Sequence, residues 1–223
     1  FTTKFDVLTA FAERSVAIGT GDHSREANVG AISANTFGLF NARPVIGRFF
    51  TADEDHPPTG TPVVVLTHQL WQSDSGGTND VLGKTMRIDK GTFTIIGVAP
   101  PGFVAFSEGV APVAFVPVTV IAGSPGPGYL TRYNWSWLEI FTHRKPGVTL
   151  AEANADLSNA FRLSWDAERE LGELRTTSEA AKTRGEAAPV LQARGPDAGP
   201  DAKVVVWVAG VAVIVLLIAC ANV

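Results

Sequence analysis

Short apolar runs set off by Gly, Pro and Asn dominate the first 145 residues, and one long helical pattern follows them. Arg14–Gly19 and Arg25–Ile32 flank Thr20-Gly21-Asp22-His23-Ser24, a turn-rich loop of hairpin length. Ser33–Phe40 reads as a short helix with Phe37 and Phe40 on one side. Thr51-Ala52-Asp53-Glu54 has the spacing of a capping box and predicts a helix start. Pro62–Leu66 is continuously apolar and bounded by turn residues, the mark of a buried strand. Thr67 caps the helix after it, whose Leu70 and Trp71 face the core. Thr85–Asp89, Lys90-Gly91 and Thr92–Val98 predict a second hairpin, with Met86 and Ile88 on one face and Phe93 and Ile95 across from them. Pro100-Pro101-Gly102 stops it. Phe115–Val118 reads as a strand near an edge, because Pro117 cannot donate to a ladder.

Ala122–Gly128 is a loop, and Trp137–Arg144 a strand in which Leu138 and Ile140 alternate with Glu139. Thr149-Leu150-Ala151-Glu152 is a second capping box. It opens the one long helix, with Leu150, Ala153, Leu157, Phe161 and Ser164 at helical spacing, then Leu171 and Leu174, and Gly172 as its breaker. Ala187–Ala193 is a candidate last strand, and Gly195–Asp201 a flexible link. Many short strands with few helices indicate an α+β fold.

Val204–Val223 differs in kind. It contains no Asp, Glu, Lys or Arg, and twelve of its twenty residues are Val, Leu or Ile. As a helix it covers about 30 Å, the thickness of a bilayer's hydrocarbon core. A buried helix of a soluble protein keeps a polar stripe, and only Asn222 is strongly polar here. Val204, Trp207, Gly210, Leu216, Cys220 and Asn222 are thus expected to mark a membrane span. The chain begins with Phe1 and stops inside this run, as a piece of a longer membrane protein would, and no signal peptide is visible near Lys4 and Asp6.

Composition follows from that division. Charged residues are 18% of the 223, and all of them precede Val204. The formal net charge is −4 with no basic block, which argues against nucleic acid as a partner. The single cysteine, Cys220, lies in the apolar run, so the folded part has neither a disulfide nor a cysteine-based metal site.

Candidate chemistry is sparse. Gly77–Thr85 resembles a phosphate-binding loop, but five residues separate its glycines where four are required, and a helix precedes it where a strand should. It reads as a turn. Asp53-Glu54-Asp55-His56 offers carboxylates for a cation or for acid–base work, against the plainer reading of a capped, solvated helix start. His23, His56, His68 and His143 are scattered without a zinc-binding pair, and there is no Gly-x-Ser-x-Gly elbow. Asn134-Trp135-Ser136 matches a glycosylation triplet, and Trp135 and Trp137 are candidate partner contacts as well as candidate packing residues.

Six blocks taken in order carry a resemblance: Ile32–Phe37, Ala42–Phe50, Val63–Leu66 with Leu70-Trp71, Val81–Thr85, Phe93–Phe103 and Leu217–Val223. Together they resemble the MacB-type periplasmic core domain of bacterial FtsX-like ABC transporter permeases, of the duplicated type common in acidobacteria. The resemblance implies an extracytoplasmic domain, residues 1–203, with a Porter-like α/β part (136–193 with 1–14), an inserted β-rich Sabre-like part (15–135) and a linker (194–203). Residues 204–223 would start a transmembrane helix. It also implies a bacterial inner-membrane protein with no catalysis and no cofactor of its own, coupled to a separate cytoplasmic ATPase. The implied partners are the membrane, that ABC ATPase subunit, a second copy or a permease complex, and a periplasmic protein or lipoprotein. A membrane-anchored hydrolase using Asp53, Glu54 or Asp55, and a ligand-binding module using Trp135 and Trp137, are the competing expectations.

Overall fold

Strand formation follows the apolar runs, and β4 (Val63–Leu66) shows why one of them is unbroken. In the computed structural model, which describes residues 2–21, 24–123, 136–172, 174–190, 207–208 and 211, all four β4 residues are buried. Val64 and Leu66 enter one hydrophobic cluster, Val63 and Val65 another. A strand covered on both faces has no solvent side on which to alternate.

The chain divides into two compact units, Phe5–His143 and Phe1–Lys4 with Arg144–Val223. The first is built on β1 (Phe5–Ile18), β2 (Arg25–Ile32), β3 (Ile46–Gly47), β4, β5 (Thr85–Ile88), β6 (Gly91–Val98), β7 (Ala114–Pro117) and β8 (Glu139–Arg144). Their order is β2-β7-β4-β6-β5-β1-β8, and β1 also pairs with β2, so six strands close into a ring. Closure removes the open edges that a flat sheet would present. The β1–β2 hairpin is antiparallel from Phe11↔Ile32 to Ile18↔Arg25, while β2–β7 and β4–β6 are parallel. Met86 faces Phe93 across β5–β6 as expected, while Ile88 pairs with Gly91 and Ile95 lies beyond the start of β5.

Among the described residues this unit carries the helices α1 (Thr36–Leu39), α2 (His68–Ser75) and α3 (Val118–Gly123). Thr67 caps α2 as expected, its hydroxyl accepting from Leu70 N at 3.3 Å. Phe37 is buried beside α1's backbone, whereas Phe40 is half exposed. Three expectations are corrected. β7 is a fully buried inner strand between β2 and β4, because Pro117 is its last residue and α3 begins at the next position. β1 begins at Phe5, nine residues earlier than its sequence pattern suggested. In β8 it is Phe141, stacked on Phe106 at 3.6 Å, that faces the core, while Ile140 is exposed.

The second unit centres on α4 (Leu150–Glu170). Its capping box is complete: Glu152 N donates to Thr149 Oγ1 at 3.2 Å and Thr149 N to Glu152 Oε2 at 2.8 Å. Asp156 receives the backbone N–H groups of Thr3 and Lys4 at 2.8 and 3.0 Å, tying the chain start to this helix. Residues 183–189 have no regular secondary structure and are held to α4, with Ala187 N donating to Asn154 Oδ1 at 2.8 Å and Gly185 N to Ser158 Oγ at 3.1 Å. Residues 187–190 are not a strand, and the rest of that candidate lies outside the described residues.

Candidate functional site

The acidic turn is the densest group of ionisable residues in the sequence, and its geometry shows what they do. Arg48 grips Glu54 through both guanidinium nitrogens, at 2.6 and 2.7 Å. Thr51 N also donates to Glu54 Oε2 at 3.0 Å, the half of a capping box that the spacing predicted. No helix follows, because only a turn fits before Pro57-Pro58. Asp55 is not solvated either. Its Oδ1 accepts from Thr119 N and Oγ1 at 3.2 and 2.9 Å, and its Oδ2 from Ala34 N at 3.1 Å. The loop is therefore pinned to the starts of two other elements.

The two carboxyls respond oppositely to this setting. The Arg48 hydrogen bonds hold Glu54 below its ordinary value, while burial pushes Asp55 up. A depressed acid stabilises the fold above its unfolded pKa and loses that contribution as pH falls through the folded one; a raised acid does the reverse. Glu54→Gln is therefore expected to cost about 1 kcal/mol at pH 7. That deficit should vanish well below the ordinary glutamate value of about 4.3. Denaturant midpoints of both proteins from pH 7 to pH 3 check it; a deficit that persists in acid would contradict the ion-pair assignment.

With Glu54 and Asp55 engaged in these bonds, Asp53 stands as an exposed carboxylate. Among the described residues no three His, Cys, Asp or Glu side chains are grouped to hold a metal ion. His56 is exposed, His68 meets the Trp71 ring edge-on at 5.5 Å, and His143 Nδ1 lies 2.8 Å from Asp6 Oδ1, which lowers the Asp6 pKa. His23 lies outside the described residues. Gly77–Thr85 forms a turn with a single 3-10 segment (Asn79–Val81), held by Trp71 Nε1 donating to Thr78 O at 2.9 Å. It builds no phosphate cradle of the strand-to-helix kind.

Trp137 is half-buried and packs against the core cluster that includes Val64 and Leu66, while Trp135 and Asn134 lie outside the described residues. Of residues 204–223 only 207, 208 and 211 are described; each is helical, and Trp207 is 76% exposed. Val204, Gly210, Leu216, Cys220 and Asn222 fall outside. Among the described residues no helix is long and apolar enough to cross a membrane.

Sequence reasoning missed a cleft of about 420 Å³ in the strand-rich unit, bounded by the β1–β2 loop, α2, β5 and β6. Ile18, Leu66, Leu70, Val81 and Ile95 are among its lining residues and are buried. Arg25, Asp74 and Arg87 also line it, and Arg25 binds both oxygens of Asp74 at 3.1 and 2.8 Å. No local motif could have revealed it: Arg25 and Asp74 are 49 positions apart and meet only when the strand ring closes.

Comparisons with known proteins converge. The family model of the MacB-like periplasmic core domain matches residues 3–160. No curated protein matches the chain in sequence. Among solved structures, the fold is similar to the periplasmic region of MacB from Actinobacillus actinomycetemcomitans. The two are 18% identical with a TM-score of 0.54, over 78% of this chain and 79% of that one. It is also similar to the extracellular domain of the noncanonic ABC-type transporter YknZ from Gram-positive bacteria, 16% identical with a TM-score of 0.55, over 75% and 79%. At such identities the likeness is one of fold.

Proposed function

We propose, from the premise that this chain belongs to the family of MacB-like periplasmic core domains, that it is the extracytoplasmic domain of an ABC transporter permease subunit. The observation that carries this reading is the family match over residues 3–160, joined to a fold like that of two transporter extracytoplasmic domains. In this reading the domain does no chemistry. A separate cytoplasmic ATPase hydrolyses ATP, and the permease passes the resulting motion across the inner membrane to the folded part. The engagement of Glu54 and Asp55 in structural bonds supports a non-catalytic role and speaks against the hydrolase reading. The two compact units support a division into an inserted β-rich Sabre-like part and a Porter-like part that carries α4. Residues 204–223 then serve as the start of a membrane helix, and Trp135 and Trp137 as a contact for a second copy or a periplasmic partner.

Two rates test the coupling. The purified chain alone should hydrolyse no ATP; robust hydrolysis would overturn the reading. In proteoliposomes holding the whole permease with its ATPase, an antibody fragment that clamps residues 5–143 from outside should change ATP turnover by about two-fold or more. An unchanged rate would show that the domain is not coupled to the motor.

A further inference from the structure

The cleft beside α2 has two kinds of wall, and their chemistry defines an occupant. Its floor is apolar, formed over the buried Ile18, Leu70, Val81 and Ile95, and its rim carries the hydroxyls of Thr20, Ser75, Thr85 and Thr92. Its volume, about 420 Å³, lies within the range of small-molecule sites. Two guanidinium groups line it, and they differ in what they have left to give. Arg25 is neutralised by Asp74, both of whose carboxylate oxygens accept from its Nη2. Arg87 donates from Nε to the backbone oxygen of Asp89 at 3.1 Å, and among the described residues it makes no ion pair with a carboxylate. Its two terminal nitrogens are the donors that a carboxylate takes up side by side.

We infer that this cleft is a binding site for a small amphiphilic anion, a medium-length acyl chain ending in one carboxylate. The chain lies against the apolar lining and the carboxylate meets Arg87. One net positive charge remains among Arg25, Asp74 and Arg87, so a monoanion is matched and a dianion is not. This assignment does not rest on the permease reading, since the cleft is formed wholly within residues 5–143.

The test uses the full chain in lipid nanodiscs, with a photoactivatable diazirine analogue of decanoate and mass-spectrometric mapping of the adducts. Adducts are expected on the peptides that contain Leu70 and Met86, competed away by decanoate and not by decanol. Arg87→Ala should lower labelling of those peptides by about five-fold, the upper end for a charge pair made by an exposed guanidinium. Arg43→Ala, at an exposed position outside the cleft, should leave labelling as it is. Met86→Trp, which fills the cleft and keeps the guanidinium, should abolish labelling too, so that a folding defect in one variant cannot decide the matter. Scattered adducts, equal competition by decanol, or equal labelling in the Arg87 and Arg43 variants would each overturn the assignment.

Discussion

Phe115→Ala is expected to destabilise the strand-rich unit by about 3–5 kcal/mol, the range for removing a fully buried phenylalanine. Phe115 is completely inaccessible and stands at the middle of an aromatic cluster. Its ring meets Phe103 edge-on at 5.1 Å and Phe37 at 6.5 Å, and Phe37 in turn stacks on Phe49 at 3.8 Å. Across the β2–β7 ladder its partner is Gly30, and a Cβ there would come within 2.8 Å of the Phe115 ring. The ring thus covers a strand glycine that has no side chain of its own to pack. Removing it empties both positions, and the surrounding rings, fixed by one another, have little freedom to close the void. Urea unfolding followed by tryptophan fluorescence measures the change. A loss below about 1 kcal/mol would mean that the cluster is loosely packed.

Gly97→Ala is the second large effect, and it works through backbone rather than through a cavity. Gly97 follows the extra residue of a bulge: β4 pairs Val64 with Ile95 but Val65 with Gly97, leaving Ile96 between them. On its other side Gly97 pairs with Gly47 of β3. A Cβ on Gly97 would lie 2.1 Å from the carbonyl oxygen of Arg48, and one on Gly47 would lie 2.2 Å from that of Ile96. Gly47 also has φ +68°, a conformation that side chains disfavour. Two strands therefore cross at a distance only a pair of glycines allows. Alanine at 97 must push the 45–48 segment off β6, breaking the Val45 N to Val98 O and Arg48 N to Ile96 O hydrogen bonds, both 2.9 Å. The expected cost is about 3 kcal/mol, the upper part of the overpacking range. Arg48 would shift with its backbone, so the variant should also weaken the Arg48–Glu54 pair and shrink the pH-dependent deficit of Glu54→Gln. If Gly97→Ala has wild-type stability, the close crossing is not present in solution.

What the sequence made legible depended on whether the signal was local. The β1–β2 and β5–β6 hairpins have their turns between their strands, so pattern and punctuation mark the segments that flank each turn. The Thr149 capping box and β4's unbroken apolar run are likewise statements about neighbouring residues. The first half of β1 was not legible because residue type does not follow burial there: burial alternates from Phe5 to Phe11, but apolar Leu8 is on the exposed side and polar Thr9 on the buried one. A strand that passes from β8 to a place between β5 and β2 meets different neighbours along its length, so Ala12 is buried on the face that Asp6 and Leu8 leave exposed. Pro117 is ambiguous in sequence: its missing donor suits a sheet edge, whereas here it marks the end of an inner strand. Asp55 is ambiguous for a similar reason. Nothing near it in sequence announces Thr119 or Ala34, which reach it only through the fold. The cleft with Arg87 belongs to the same class, a product of closure that no short stretch contains.

Family membership ties these features to a place in the cell, and that place can be measured without knowing what is transported. Lys90 sits in the exposed β5–β6 turn of the strand-rich unit. In a cysteine-free background of the native protein, Lys90→Cys should react with a membrane-impermeant maleimide in intact spheroplasts as fully as after lysis. Labelling that appears only once the cytoplasmic membrane is broken would put the domain on the ATP side and contradict the permease account.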